Sequence, residues 1–134
     1  MRPFFLFLIT TTLLLTACKN EPSAEELAIG AAKEAAEKSY TAFLDNRYDE
    51  YLSHRSGSDS LPESYRQQLI EAYQQFKALQ EKEHGGISSF RVSNARMDST
   101  MNFVQVFLVL NYADSVQEEI VVPMIEENGS WKMK

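Results

Sequence analysis

The stretch that most limits how this chain can fold is Met101–Tyr112, MNFVQVFLVLNY. It carries Val, Phe and Leu at positions of both parities and has neither Pro nor Gly. As a strand it would point Phe103, Phe107 and Val109 one way and Val104, Val106, Leu108 and Leu110 the other. A half-exposed strand alternates apolar with polar residues, whereas one that is apolar on both faces must be covered on both. The stretch is therefore expected to be a central strand of one small sheet.

The flanking segments supply covering elements in an α+β order. Ser23-Ala24-Glu25-Glu26 fits a helix-capping box. After it, Leu27, Ala31, Ala35, Ala42 and Phe43 fall near one stripe, with Lys33, Glu34, Glu37 and Lys38 opposite. That spacing predicts an amphipathic helix to about Leu44, with an alanine face that allows close approach. Tyr48 to Leu52 predicts a short second helix, and HRSGSDS (54–60) a polar loop. Ser60-Leu61-Pro62-Glu63 signals another helix start. Tyr65, Leu69, Ala72, Tyr73, Phe76 and Leu79 keep helical spacing until Gly85-Gly86 stops it. Strands are expected around Phe90 and Val92, through the central stretch, from Val116 to Ile125, and from Trp131 after an Asn128-Gly129 hairpin turn.

Turn lengths decide which faces meet. A two-residue turn at Asn128-Gly129 puts Ile120, Val122 and Met124 on one face with Trp131 and Met133. Two-residue turns at Ala113-Asp114 and Asp98-Ser99 would add Phe103, Phe107 and Val109, then Phe90 and Val92. This face is expected to lie under the helices. Val104, Val106, Leu108, Val121 and Pro123 would then form an outer apolar patch of a kind monomers seldom expose. A homodimer or protein partner is expected to cover it.

At the amino end, Arg2 precedes an apolar run from Phe4 to Leu15, which closes in Leu15-Thr16-Ala17-Cys18. The run is short for a membrane span and reads as a secretory signal. Leu-Thr-Ala-Cys resembles the lipobox of bacterial lipoproteins. The resemblance implies a signal peptide at 1–17, a lipidated Cys18 and tether at 18–23, and a domain at 24–134. It also implies palmitate-type acylation and a lipid anchor in the cell envelope, with the periplasmic or surface side of the outer membrane as the expected place. Cys18 is the sole cysteine, so no intramolecular disulfide can form and no thiol chemistry is available to the domain. Removing Arg2 and acylating the new amine would take the formal charge from −6 to −7. Such acidity argues against nucleic acid and against anionic lipid as partners.

The segments FLDNRYDEYL, YRQQLIEAYQQF and EENGSWKMK, in this order, resemble the nuclear transport factor two-like superfamily over roughly Glu25 to Lys134. The likeness is greatest to small lipoproteins of that class in Bacteroidota. It implies a cone-shaped, cystatin-like domain with N-terminal helices packed on a curved antiparallel sheet of about four strands and a pocket between the layers. Tyr48, Tyr51, Tyr65, Tyr73, Phe107 and Trp131 are the candidates for lining that pocket. Enzymes on the fold place an Asp, His or Tyr there, which makes Asp49 and His54 candidates for isomerase- or hydratase-type acid–base work. Against this, Asp49 sits beside Glu50 in a polar stretch and His54 in a Ser/Gly loop. His54 and His84 have no His or Cys neighbour, and neither a phosphate-binding loop nor a nucleophile elbow appears. No metal and no cofactor are expected. The expectation is an anchored domain that binds a small ligand or a protein, with a pocket enzyme and a purely structural accessory domain as alternatives. Ser60, Ser99 and Ser115 each follow an Asp. They resemble the Asp-Ser/Thr motif at which Bacteroidota O-glycosylate exported proteins, although Asp and Ser also favour turns for their own hydrogen bonding.

Overall fold

A computed structural model of the chain describes residues 20–98 and 102–134; Cys18 and Ser99 lie outside them. Seven main elements follow in order: α1 (Ala24–Leu44), α2 (Tyr48–Ser53), α3 (Glu63–His84), β1 (Ile87–Asp98), β2 (Phe103–Tyr112), β3 (Gln117–Glu127) and β4 (Ser130–Met133). A single 3-10 turn, Ser58–Ser60, precedes α3.

The capping box forms as the sequence suggests. The Glu26 N–H donates to Ser23 Oγ at 3.1 Å and the Ser23 N–H to Glu26 Oε2 at 3.3 Å. Along α1, Ala32, Ala36, Ser39 and Ala42 are fully buried. Such small side chains let the helix lie close to its neighbours, and Ala32 and Ala36 join one cluster with Val104, Val106, Leu108, Val122 and Met124. The Ser39 hydroxyl would be an unpaired polar group there. It donates back to the Ala35 carbonyl at 2.8 Å instead.

The sheet is antiparallel in the order β1-β2-β3-β4, with β2 in its interior as expected. Its register corrects one expectation. The Tyr112 N–H donates to the Val116 carbonyl at 2.9 Å, which leaves Ala113, Asp114 and Ser115 as a three-residue loop with Ser115 at φ 71°. The extra residue flips β2 relative to β3, since successive side chains alternate faces. Val106 lies opposite Val122 and Leu108 opposite Ile120. Val104, Val106, Leu108 and Leu110 therefore face the helices, and Phe103, Phe107 and Val109 face away. Phe90 and Val92 do face the helices, opposite Leu110 and Leu108. A bulge between Val92 and Asn94 then keeps Ala95 and Met97 on the inner side.

The expected outer patch is consequently absent. Val104, Val106 and Leu108 are fully buried in the core, Pro123 is half-buried, and only Val121 of the five expected patch residues is exposed. The residues that do face outward are partly roofed by cations. Lys134 Nζ lies 5.9 Å from the Phe103 ring centre, and the Arg96 guanidinium 5.3 Å from that of Phe107. β4 pairs only with Met124–Glu127, so among the described residues the far edge of β3 is unpaired from Gln117 to Val122.

Candidate functional site: a tyrosine-walled cleft

The site exists because α3 does not settle onto the sheet. None of its 22 residues is buried, and Tyr65, Phe76 and Leu79 are each almost half exposed. Three ties hold it at a distance. Near its start, Arg66 Nη1 donates to the Ser58 carbonyl at 3.3 Å. At mid-length, Lys77 Nζ donates to the carbonyls of Phe43 (3.2 Å) and Leu44 (2.9 Å) and to Asn46 Oδ1 (2.6 Å). The last turn of α1 has no basic residue of its own, so Lys77 supplies the cation its carbonyl end favours. At the end of α3, the Ala113 and Asp114 N–H groups donate to the Gly86 and His84 carbonyls, and His84 Nδ1 meets Asp114 Oδ2 at 2.7 Å. Gly85 makes this joint possible: its φ is 77°, and a Cβ there would lie 3.0 Å from that of Ala113.

Between α3 and the sheet is a cleft of about 240 Å³. Its walls are Tyr40 and Phe43 from α1, Tyr51 from α2, and Tyr73 and Phe76 from α3. Its floor is Ile87, Leu110 and Ile120, with Glu118 and Val121 along the open edge of β3. Tyr51 and Tyr73 meet edge to face at 4.9 Å and 81°, Tyr40 and Tyr51 at 5.9 Å and 84°, Phe43 and Tyr73 at 6.5 Å and 88°. Rings crossed in this way are held by their quadrupoles as well as by contact area. Burial pushes the phenols of both Tyr40 and Tyr51 above their ordinary pKa, so both are neutral. At the Glu118 end, the Tyr112 hydroxyl donates to Glu118 Oε2 at 2.7 Å. Burial first, and then this carboxylate, push Tyr112 up to about 12. Past the three tyrosines a smaller hollow of about 160 Å³ is lined by Arg55, Pro123, Met133 and Lys134 as well. There Arg55 Nη1 lies 3.4 Å from the Tyr73 hydroxyl.

Two of the six candidate lining residues, Tyr51 and Tyr73, line the cleft. Tyr48 stands outside it, with its ring 6.1 Å from that of Phe43 and its hydroxyl donating to Asn46 Oδ1 at 3.0 Å. Tyr65 is exposed near the start of α3. Phe107 is on the outer face of the sheet because of the β2–β3 turn. Trp131 lines a separate groove of about 330 Å³ with Ala31, Ala35, Lys38, His54 and Lys132. That groove is the larger of the two, but it is shallow and rimmed by charge, so a ligand in it would stay largely hydrated.

Asp49 is exposed and lines none of these hollows. His54 opens on the polar groove, 3.9 Å from Glu50, and burial followed by the charge of Lys132 lowers its pKa. Neither reaches the cleft. No cluster of His, Cys, Asp or Glu among the described residues could hold a metal ion. Ser60 and Ser115 are exposed.

Sequence reasoning missed Tyr40, Phe43, Phe76 and Glu118 as lining residues. A signal for two of them was present. Ala32, Ala36, Tyr40 and Phe43 continue one helical stripe, and the change from Ala to aromatic side chains marks where the gap beneath α1 widens. Glu118 had no such signal, because its place depends on the turn that sets the register of β3.

No family model matches the sequence, and no curated protein does. Among solved structures the chain is similar to a "putative NTF2-like transpeptidase" from Campylobacter jejuni. The TM-score is 0.57 at 10% identity, over 75% of this chain and 94% of that one. At this identity the likeness concerns the fold. The chain has an α+β fold like that of the Campylobacter protein, with helices packed against an open four-stranded antiparallel sheet.

Proposed function

We propose that this chain is a lipid-anchored envelope protein whose domain binds a small ligand in the tyrosine-walled cleft. One observation carries the binding half: α3 is tied to its neighbours yet has no fully buried residue, and beneath it lies an aromatic cleft with only one charged residue in its lining. Apolar concavities with a few polar groups are the usual form of small-molecule sites. Packing α3 down onto the sheet would have been the simpler way to build a core. The anchoring half rests on Leu15-Thr16-Ala17-Cys18. An acid–base enzyme using Asp49 or His54 has no support from their placement, since neither shares a cavity with the cleft.

Native mass spectrometry of the protein purified from its own host tests the ligand. A bound mass that is lost in Tyr73→Leu is expected; a bare protein at all stages of mild purification counts against the reading. Metabolic labelling with palmitate tests the anchor. Wild type should carry label and Cys18→Ala should not, and equal labelling rejects the lipid. Intact mass from the same host tests modification of Ser60, Ser99 or Ser115, through hexose-sized increments beyond the acylated chain.

A further inference from the structure

We propose that the cleft takes an organic cation, an alkyl- or quaternary ammonium group carried on a small apolar body. The proposal rests on the ligand-binding reading above and names its chemical class.

Three observations converge on it. The first is the wall: Tyr40, Phe43, Tyr51, Tyr73 and Phe76 present five rings, several of them crossed near 90°. Ring faces carry negative potential and attract ammonium groups, most strongly where water is excluded. The same cluster already attracts a cation on its other side. Lys77 Nζ lies outside the cleft, 5.6 Å from the Phe43 ring centre and 5.9 Å from that of Tyr48.

The second is charge. Glu118 is the one charged residue lining the cleft. Its Oε2 accepts from Tyr112, and its Oε1 accepts no hydrogen bond among the described residues. A carboxylate with one oxygen fixed by a neighbour and the other open is well placed to face an ammonium. The chain as a whole carries −6, which raises the local concentration of cations around it.

The third is polarity along the site. Arg55 and Lys134 line the smaller hollow beyond the tyrosines, beside Pro123. Glu118 and Pro123 are five positions apart on β3, roughly 17 Å at strand spacing. A cationic head is therefore drawn to the Glu118 end and repelled from the Arg55 end, which fixes its orientation. An anionic amphiphile would sit the other way round. The cleft, at about 240 Å³, is below the range of roughly 300–1,000 Å³ usual for drug-sized ligands, so the body must be small.

Hexyltrimethylammonium, hexanol and hexanoate, titrated into the full chain and followed by NMR shifts and calorimetry, decide the matter. The cation is expected to bind tightest and to shift Tyr51, Tyr73 and Glu118. Glu118→Gln keeps an acceptor for Tyr112 and should weaken the cation by about five- to tenfold while leaving hexanol unchanged. Arg55→Gln should leave the cation as tight or tighter. Hexanoate binding tightest, with loss in Arg55→Gln, overturns the proposal in favour of an anion. Equal binding of all three probes overturns the charge preference and leaves an apolar ligand site standing. Binding of none overturns the proposal and the ligand reading together. Tyr73→Leu should also weaken the cation and Tyr73→Phe should not; if Tyr73→Leu fails to fold, Glu118→Gln alone carries the test.

Discussion

Two stretches of α1 rest on different surroundings. In its middle turns, Ala32 and Ala36 lie flush against Val104, Val106, Leu108 and Met124, all of them without exposed surface. Toward its C-terminal end the same stripe turns to Tyr40 and Phe43, and the facing element is α3, which has no fully buried residue. The first stretch packs into a dry core; the aromatic stretch borders a gap. Small side chains on a helix permit contact with a sheet, and large rings hold a third element away from it. On the proposed reading, stability and ligand binding are divided along one helix.

The widest expected effect breaks this contrast if it is wrong. Leu108→Ala, in the dry core, should cost about 3–4 kcal/mol by chemical denaturation, the range for a large-to-small change in a core that cannot collapse. Phe76→Ala removes a bigger side chain, but one already 47% exposed, and should cost about 1 kcal/mol or less. Comparable losses would mean that α3 is part of the core after all.

Lys77 sharpens the comparison, because it spans the two sides of the gap. Lys77→Met keeps the length of the stem and removes three hydrogen bonds to the end of α1. A loss of about 1–2 kcal/mol is expected, partly exposed charge-assisted bonds being worth less than buried ones. Hydrogen exchange should rise in α3 ahead of β2. Unchanged protection of α3 would show that its other ties suffice. At the far joint, Gly85→Ala puts a Cβ both in a left-handed conformation and against Ala113, and should cost about 1–2 kcal/mol. Gly86, also at positive φ but with open space around it, should pay only the conformational part.

How much of this was legible in the sequence follows the range of the signals. The capping box at Ser23, the helix stop at Gly85 and the hairpin at Asn128-Gly129 are local, and each falls where expected. The interior placement of Met101–Tyr112 also followed, since a strand apolar on both faces has few other homes. Its facing did not. That hung on one residue, Ser115, which takes φ 71° without being Gly or Asn and so gives no sign that the loop has three residues. Every inner and outer assignment on β2 turned over with it, carrying Phe107 out of the pocket and Val104, Val106 and Leu108 into the core. The cleft was half legible: Tyr51 and Tyr73 were identified as aromatic positions at helical spacing. The gap between them is a property of where α3 is tied, and two of its ties join residues about 30 positions apart, Lys77 with Asn46 and His84 with Asp114.

The smallest expected effect concerns the last of those ties. His84 Nδ1 and Asp114 Oδ2 meet at 2.7 Å, and the Val116 N–H donates to Asp114 Oδ1 at 3.0 Å. The bond from His84, then that from Val116, hold the Asp114 carboxyl below its ordinary range. A carboxyl whose pKa is lower folded than unfolded stabilises the fold fully above the unfolded value of about 3.9, and this contribution fades as pH falls through the lower, folded value. The joint between α3 and the β2–β3 turn should therefore hold at neutral pH and loosen only in acid. His84→Gln replaces the ring by a neutral amide and should move the Asp114 titration, read from its carboxyl NMR signal, up towards the ordinary range. Acid unfolding should begin at a higher pH in the variant, while stability at pH 7 changes little, because the group is solvent-exposed and screened. An Asp114 titration that ignores the substitution would mean that the turn is held by its backbone bonds to His84 and Gly86 alone. The gap above the tyrosines would then depend on Lys77 and Gly85, without help from charge at this end.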